Sequence, residues 1–252
     1  MFRTFLTIAA AIAFLPVAVH AQTVDEIIAK NVQAHGGMEK MKGVQTIRIT
    51  GKLDVGSIRA GFLQENKRPD KVREEQIIQG LAASQAYDGK IGWQVNPFGG
   101  RRDPELMSQD DLKGLTIDAD IDGPLVDYKE KGHRAELVGH DSVEGTDCYK
   151  IKLSLKNGDV RYYFLDTDSF LELKIETESS IRGTIQYTET YFGDYEEVNG
   201  LYYSFAFETG AKGDSNRVKF AVDKVEINVP LEDSLFTMPI VKPEAKPAGG
   251  AQ

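Results

Sequence analysis

Three aspartates at alternating positions come nearest to the spacing of a known metal site. The run Asp118-Ala119-Asp120-Ile121-Asp122-Gly123 opens like a calcium-binding loop, with carboxylates at its first, third and fifth positions and glycine at its sixth. That loop also needs a bidentate glutamate at its twelfth position, where this chain has Lys129, with Glu130 one residue late. Pro124, directly after the glycine, disrupts the pattern further. The sequence therefore favours a solvated acidic turn, and no metal or cofactor is expected.

Other side chains that could support catalysis lack the spacing that catalysis requires. The histidines beyond residue 21, His35, His133 and His140, show no zinc-binding spacing. The chain has neither a Gly-x-Ser-x-Gly nucleophile elbow nor a glycine-rich phosphate loop. The pairs Glu74-Glu75 and Asp110-Asp111 are typical of surface charge in an acidic protein. We therefore expect no enzymatic activity, with a secreted hydrolase as the alternative.

The elements that must position any site are strands with one apolar face. Apolar and polar residues alternate along Tyr149–Leu155, Leu171–Ile175 and Leu201–Phe207. Such alternation is typical of strands with one dry and one wet face. Turn residues separate successive strands of this kind from Cys148 to Val229, and near Lys224 the alternation slips by one residue, as at a β-bulge. The pattern predicts a long antiparallel sheet with one apolar side.

We predict about eleven or twelve strands and three short amphipathic helices. The helices are expected over Val24–His35, Pro104–Leu115 and Pro124–Lys131. The first five strands are expected over Val44–Val55, Ser57–Lys67, Lys71–Gln79, Ala82–Tyr87 and Gly92–Val95. A sheet this wide must close, pack on a second sheet, or hold an apolar ligand in its concavity. The expected fold class is mainly β (α+β): a large curved antiparallel sheet forming an incomplete barrel, with amphipathic helices covering its concave mouth.

The first 21 residues have the features of a secretory signal peptide. A basic residue, Arg3, precedes the apolar run Phe5–Val19, and small residues around Ala21 predict cleavage there. The run is shorter than the ~20 residues that span a bilayer, which disfavours the alternative of an uncleaved anchor. We expect one exported domain over residues 22–239 and a disordered Pro/Gly/Ala-rich tail over residues 240–252.

Charge and cysteine content exclude several classes of protein. The formal net charge is −9 and no basic cluster occurs, which argues against nucleic-acid binding and against resting on anionic lipid headgroups. Beyond the signal peptide no segment is apolar enough to span a membrane, so an integral membrane protein is not expected. Cys148 is the only cysteine, so no internal disulfide can form.

Two motifs resemble those of the bacterial lipoprotein-sorting (LolA-like) family of periplasmic carriers. The first is Asn66-Lys67-Arg68-Pro69, similar to the family's Lys-Arg-Pro turn after an early strand. The second is the segment Tyr87–Phe98, which contains Asp88-Gly89-Lys90, Trp93 and Asn96-Pro97-Phe98 in the order of the family's hairpin. The resemblance covers roughly Val24 to Pro239.

The resemblance implies a periplasmic half-barrel whose apolar cavity receives the acyl chains of a lipid or lipoprotein. It implies that Arg68 bonds to backbone carbonyls of the lid and acts as a lid latch. Expected partners are an inner-membrane donor and an outer-membrane acceptor, with the carrier itself a monomer. An envelope lipid sensor using the same cavity is the alternative. The candidate cavity residues are Ile47, Ile49, Phe62, Trp93, Phe98, Leu106, Met107, Leu125, Tyr203 and Phe205.

Overall fold

The described part of the chain forms one sheet of 13 antiparallel strands. The computed structural model describes residues 22–240, so the predicted signal peptide and residues 241–252 of the predicted tail lie outside the described residues. The helices are α1 (Val24–Ala34), α2 (Met38–Gly43) and α3 (Gln109–Asp118). The strands are β1 (Thr46–Val55), β2 (Ile58–Lys67), β3 (Lys71–Ile78), β4 (Leu81–Tyr87), β5 (Gly92–Asn96), β6 (Arg101–Leu106), β7 (Arg134–Val143), β8 (Thr146–Ser154), β9 (Val160–Asp166), β10 (Glu172–Ile181), β11 (Thr184–Val198), β12 (Leu201–Ala211) and β13 (Val218–Ile227).

The strand order leaves the sheet open, with β6 and β7 as its two edges. Strands β1 to β6 pair in succession from the middle of the sheet to one edge. The chain then crosses to the opposite edge through α3 and through residues 119–133. Residues 119–133 are named here the crossover segment. From β7 the strands add back towards the middle, until β13 pairs with β1. This order matches the expected incomplete barrel, and the prediction of the fold class is confirmed.

The sheet must curve strongly, because α3 contacts β3 and β4 from one half and β10 from the other. Strands β3 and β10 are six places apart in the sheet. In a flat sheet six strand spacings would separate them by about 29 Å. A helix is only about 10–12 Å wide with its side chains, so it could not touch both. The sheet therefore wraps around α3, whose side of the sheet is concave.

Helix α1 is fixed to the sheet by its apolar stripe and by its cap. Thr23 and Glu26 form the expected capping box. Ile27 and Ile28 pack with Ile151 of β8 into a buried cluster on the concave side. Burial of this stripe supplies most of the stability of so short a helix, since isolated helices of this length are marginal in water.

Two of the three predicted helices differ from the structure. Asp103 and Pro104 do not begin a helix, because they lie in β6, which pairs with β5; proline is tolerated there on an edge strand. The helix begins later, after Ser108 caps it, and ends at Asp118. The expected helix over Pro124–Lys131 is absent from the described chain, where the residues form turns, and Asp127 has a positive φ of 51° that interrupts helical geometry.

The predicted slip of alternation near Lys224 is a β-bulge. Thr50 of β1 pairs with Lys224, and the next residue, Gly51, pairs with Val222, so Asp223 has no partner opposite it. The extra residue turns the following side chains to the other face, which is why the apolar positions change parity there. This prediction is confirmed. The number of strands exceeds the expected eleven or twelve because the segment expected to start a helix forms β6 instead.

Candidate ligand cavity

Two adjoining cavities lie on the concave side: the crossover segment covers the first, and the end of α3 borders the second. Their volumes are about 300 and 340 Å³, at the lower end of the range for small-molecule sites. Arg161, Ile175 and Phe192 line both of them. The two cavities therefore adjoin along β9, β10 and β11, and together they are named here the groove.

The first cavity, named here the α1 cavity, lies between the C-terminal end of α1, the crossover segment and β12. Its apolar wall comes from the crossover segment and the sheet, with Leu125 on one side and Leu201 and Tyr203 on the other. Leu125 and Leu201 are buried. Burial and the charge of Asp122 raise the pKa of Tyr203 to about 12, so its hydroxyl stays neutral at physiological pH.

The second cavity, named here the phenylalanine cavity, has an aromatic wall and a polar wall. Phe207 stacks on Phe220 with ring centroids 4.4 Å apart, and Phe62 meets Phe220 edge-on at 5.4 Å. Glu74 of β3, the strand next to that of Phe62, and Asp118 at the end of α3 also line this cavity. An apolar chain can pack on the phenylalanines, whereas the carboxyl groups require a polar partner.

Arg68 joins the turn after β2 to α2 and to the crossover segment. Its Nε donates to the carbonyl of Val44 at 2.5 Å, and its Nη2 donates to the carbonyl of Met41 at 3.0 Å. Both guanidinium nitrogens donate to Asp122, at 2.9 and 2.5 Å. Bidentate pairs of this kind are among the strongest hydrogen bonds in proteins.

Asp122 is the centre of this arrangement. Its side chain is only 3% exposed and also accepts from Lys42 at 2.7 Å. Burial alone would raise the pKa of Asp122, but the bonds from Arg68 and Lys42 outweigh it and lower the pKa. The carboxylate is therefore ionised at neutral pH, and three elements meet on it: α2, the β2–β3 turn and the crossover segment.

A second buried ion pair fixes the end of α1 beside the α1 cavity. His35 Nε2 lies 2.7 Å from Glu172, and His35 Nδ1 lies 3.0 Å from the carbonyl of Tyr202. Asn31 and the Tyr195 hydroxyl also donate to Glu172. Burial lowers the pKa of His35, but the charge of Glu172 and these hydrogen bonds outweigh it and raise the pKa to about 9. The imidazole is therefore cationic at neutral pH.

The sequence-predicted cavity residues separate into distinct groups. Phe62 lines the phenylalanine cavity, and Leu125 and Tyr203 line the α1 cavity. Ile47, Ile49 and Phe205 pack in a neighbouring apolar cluster around Val44 and Val225, and Met107 packs beside α3.

Like Ile47, Ile49, Phe205 and Met107, the remaining three predicted residues line neither cavity. Trp93 is buried elsewhere, and its indole donates to the carbonyl of Phe236 at 2.8 Å. Phe98 is 49% exposed and Leu106 is 62% exposed. Both exposed residues lie beyond the wall of the groove because the segment expected to fold back as a helix forms the edge hairpin β5–β6.

Sequence reasoning missed the charged groups that line the phenylalanine cavity. Glu74 was assigned to surface charge and Asp118 to an acidic turn, and Arg161 was not selected. The three aspartates of the Asp118–Gly123 run do not converge on one point: Asp120 pairs with Lys131, Asp122 pairs with Arg68, and Asp118 lines the phenylalanine cavity. Within residues 22–240 no group of three or more side chains is arranged to hold a metal ion. Among the same residues no helix is long and apolar enough to cross a membrane.

Comparison with solved structures identifies the fold. A LolA-superfamily protein from Nitrosomonas europaea superposes with a TM-score of 0.58 and 12% identity, covering 86% of this chain and 98% of the other. A DUF1329 family protein from Desulfovibrio piger gives the same values. An outer membrane lipoprotein-sorting protein domain from Vibrio parahaemolyticus has a TM-score of 0.52 and 12% identity, covering 79% of this chain and 93% of the other. The chain therefore has a LolA-like fold, as the two motifs predicted.

Sequence comparisons add nothing to this result. No protein-family model and no curated protein matches the sequence. At 12% identity the structural likeness extends to the fold, and the function must be argued from the cavity itself.

Proposed function

We propose that this chain, which has a LolA-like fold, is a periplasmic carrier that binds the acyl chains of a lipid or lipoprotein in its concave groove. The observation that carries the proposal is the pair of adjoining cavities on the concave side, lined largely by aromatic and aliphatic side chains. Each buried methylene of an acyl chain contributes about 0.8 kcal/mol to binding. A chain reaching from one cavity to the other would thus be held firmly without any chemical step.

Retention and release are proposed to depend on the crossover segment acting as the lid. Arg68 would be its latch, since it donates to Asp122 in that segment and to two carbonyls beside α2. Opening requires breaking this buried pair, which leaves a carboxylate without its main partner. A donor or acceptor protein in the inner or outer membrane could shift that equilibrium by binding one of the two states more tightly.

The proposal is tested by purifying the mature chain from a periplasmic extract without detergent. A native mass spectrum, followed by extraction and identification of any bound species, should show acyl-containing molecules in stoichiometric amount. The variant Phe192→Asp puts a charge into the wall shared by both cavities and should lose them. Tyr187→Asp is the matched control, because Tyr187 lies on the same strand, is 47% exposed and lines neither cavity.

Fluorescent long-chain fatty acid titrated into the delipidated protein gives the second readout. Saturable binding that Phe192→Asp abolishes and Tyr187→Asp retains supports a carrier. A clean apo mass together with no uptake of the fatty acid would reject the carrier and leave the fold without this function.

A further inference from the structure

Two side chains of opposite charge, those of Asp118 and Arg161, line the phenylalanine cavity. Each of them lacks an ion-pair partner. Neither forms an ion pair within 4 Å or a hydrogen bond through its side chain to a residue in the described range. Of the other charged side chains around the groove, Glu74 accepts a hydrogen bond from Gln85, and the rest form ion pairs: Asp120 with Lys131, Asp122 with Arg68, Glu172 with His35, and Glu75 with Arg73.

Arg161 is accompanied by a second polar group that lacks a partner. Its Nε is buried and has no hydrogen-bond partner, and neither does the hydroxyl of Tyr163, a residue only 3% exposed. Both line the α1 cavity at its junction with the phenylalanine cavity. Buried donors without partners cost free energy unless a ligand or water satisfies them. A guanidinium with a neighbouring hydroxyl is suited to an oxyanion such as a phosphate.

Asp118 lies at a position where a carboxylate does not stabilise the fold. It is the last residue of α3, and the C-terminal end of a helix dipole repels negative charge. Burial and the charge of Asp118 raise the pKa of the nearby Glu74 to about 7, although a bond from Gln85 opposes the shift. Two carboxyl groups that compete for one proton are suited to an ammonium group, which would neutralise both.

The phenylalanines that line the same cavity as these carboxyl groups support the same ligand chemistry. Phe62, Phe207 and Phe220 present ring faces and edges to the cavity that holds Asp118 and Glu74. Aromatic rings attract organic cations and pack on their methylene or methyl groups. A purely anionic headgroup would be repelled by Asp118, and a purely cationic one by Arg161.

We propose that the groove recognises a zwitterionic phosphodiester headgroup, with the phosphate on Arg161 and Tyr163 and the amine between the phenylalanines and Asp118–Glu74. This inference rests on the proposed function, because it names the class of lipid that the carrier takes: diacyl phospholipids with an amine headgroup. The acyl chains would extend from the junction into the α1 cavity, along Leu125, Leu201 and Tyr203.

The test is calorimetric titration of the delipidated mature chain with dihexanoyl lipids below their micelle concentration. The three probes share their acyl chains and differ in headgroup: phosphoethanolamine, phosphoglycerol, and dihexanoylglycerol with no phosphate. The phosphoethanolamine lipid should bind at least about tenfold more tightly than either other lipid, as one added charge-assisted contact is worth this much.

Two variants that each remove one charge separate the two halves of the headgroup. Arg161→Gln should remove the preference over dihexanoylglycerol, and Asp118→Asn should remove the preference over the phosphoglycerol lipid. Arg59→Gln is the control, because Arg59 lies in the exposed β1–β2 hairpin, where it pairs with Asp54. It should leave all three affinities unchanged.

The outcomes distinguish this inference from the proposed function. Equal affinities for all three lipids, or variants that weaken all three alike, would overturn the headgroup site while leaving the carrier intact. Binding of none of the three would reject both. If glycerophosphoethanolamine without acyl chains binds as tightly as its lipid, the headgroup site stands and the carrier of acyl chains is rejected.

Discussion

Arg68 and Asp122 are 54 positions apart in the chain and are joined by two hydrogen bonds of 2.9 and 2.5 Å. The first lies in the turn between β2 and β3, and the second lies in the crossover segment that covers the groove. No other side chain in the described range donates twice to Asp122. The pair therefore connects the sheet to the segment that we propose as the lid.

Replacing Arg68 by leucine should loosen the crossover segment. Asp122 would stay buried with Lys42 as its main partner, and breaking a buried pair in this way costs about 3 kcal/mol. We expect faster hydrogen exchange over residues 119–133 and faster dissociation of a bound fluorescent fatty acid. Mass-spectrometric exchange and stopped-flow fluorescence measure these two effects.

The control for this variant is Arg59→Leu, which removes an exposed pair with Asp54 and should change stability by less than about 1 kcal/mol. Asp122→Leu combined with Arg68→Leu should be less damaging than the sum of the single variants, since the two residues share one interaction. Wild-type exchange and dissociation rates in Arg68→Leu would show that Arg68 is not a latch.

Stability should fall as the pH rises through about 9, because of His35. Its pKa is raised from 6.5 to about 9 in the folded protein, so the folded state holds a proton that the unfolded state releases. The contribution is fully present below pH 6.5 and is lost above about 9. The raised pKa corresponds to at most about 3 kcal/mol, since each unit is worth 1.36 kcal/mol.

Urea unfolding of wild type and His35→Gln at several pH values checks this prediction. The difference in unfolding free energy between the two proteins should shrink as the pH rises. The contributions of the other titrating groups cancel in this difference, because both proteins contain them. Glu172→Gln should flatten the same dependence, because Glu172 is the charge that holds the proton on His35. A difference that stays constant from about pH 6 to about pH 10 would contradict the assignment.

The strands were predictable because alternation is a local property of the sequence. The slip near Lys224 marked the bulge at Asp223, since one unpaired residue reverses the face of every residue after it. The two motifs at Asn66–Pro69 and Tyr87–Phe98 predicted a turn and a hairpin, and the chain turns between β2 and β3 and between β4 and β5. Helix α3 was misplaced because Asp103-Pro104 is a good helix start in isolation, and pairing with β5 prevailed.

The groove was much less predictable, because its walls come from segments far apart in the chain. Glu74 lies on β3, Asp118 on α3 and Arg161 on β9, and nothing in the local pattern of any of them indicates that they meet. Trp93 illustrates the opposite error: a conspicuous aromatic in a motif was assigned to the groove, although it is fixed to the C-terminal segment by Phe236. Tertiary curvature decides which apolar residues line a cavity and which pack in the core.

Substitution of Gly51 should destabilise the protein, because β1 has no room for a side chain at this position. A Cβ at this position would lie 2.3 Å from the Ala221 carbonyl and 2.5 Å from the Phe62 ring. Gly51→Ala should therefore cost about 1–3 kcal/mol through overpacking. It should also push Phe62 into the phenylalanine cavity and weaken fatty-acid binding.

The matched control is Gly61→Ala on the neighbouring strand, where the nearest atom to the added Cβ is 3.8 Å away. Chemical denaturation and fluorescence titration of both variants measure stability and binding side by side. Equal stability losses in the two would mean that the backbone at Gly51 relaxes, and the predicted coupling to the cavity would be wrong.

The C-terminal segment should behave as part of the folded domain, with Trp93 as its reporter. After β13 the chain returns across the sheet, where Lys67 donates to the carbonyl of Leu231 at 2.7 Å and Trp93 donates to that of Phe236. Phe236 is fully buried, so Phe236→Ala should cost about 3–5 kcal/mol. Since Trp93 is the only tryptophan, its emission should shift to longer wavelength in this variant, as water reaches the indole.

Ile240→Ala is the control for this change, because Ile240 is 93% exposed and its truncation should alter neither stability nor emission. Trp93→Phe removes the donor together with part of the buried ring, and leaves the Phe236 carbonyl buried without its partner, at a cost of at least about 1–3 kcal/mol. Circular dichroism follows this variant, which has no tryptophan to observe. Phe236→Ala and Trp93→Phe therefore test the same contact, each by changing one of its two residues. If Phe236→Ala unfolds at the wild-type urea concentration with unshifted emission, the segment beyond β13 contributes nothing to the domain, and the buried contact between Trp93 and Phe236 is not formed in solution.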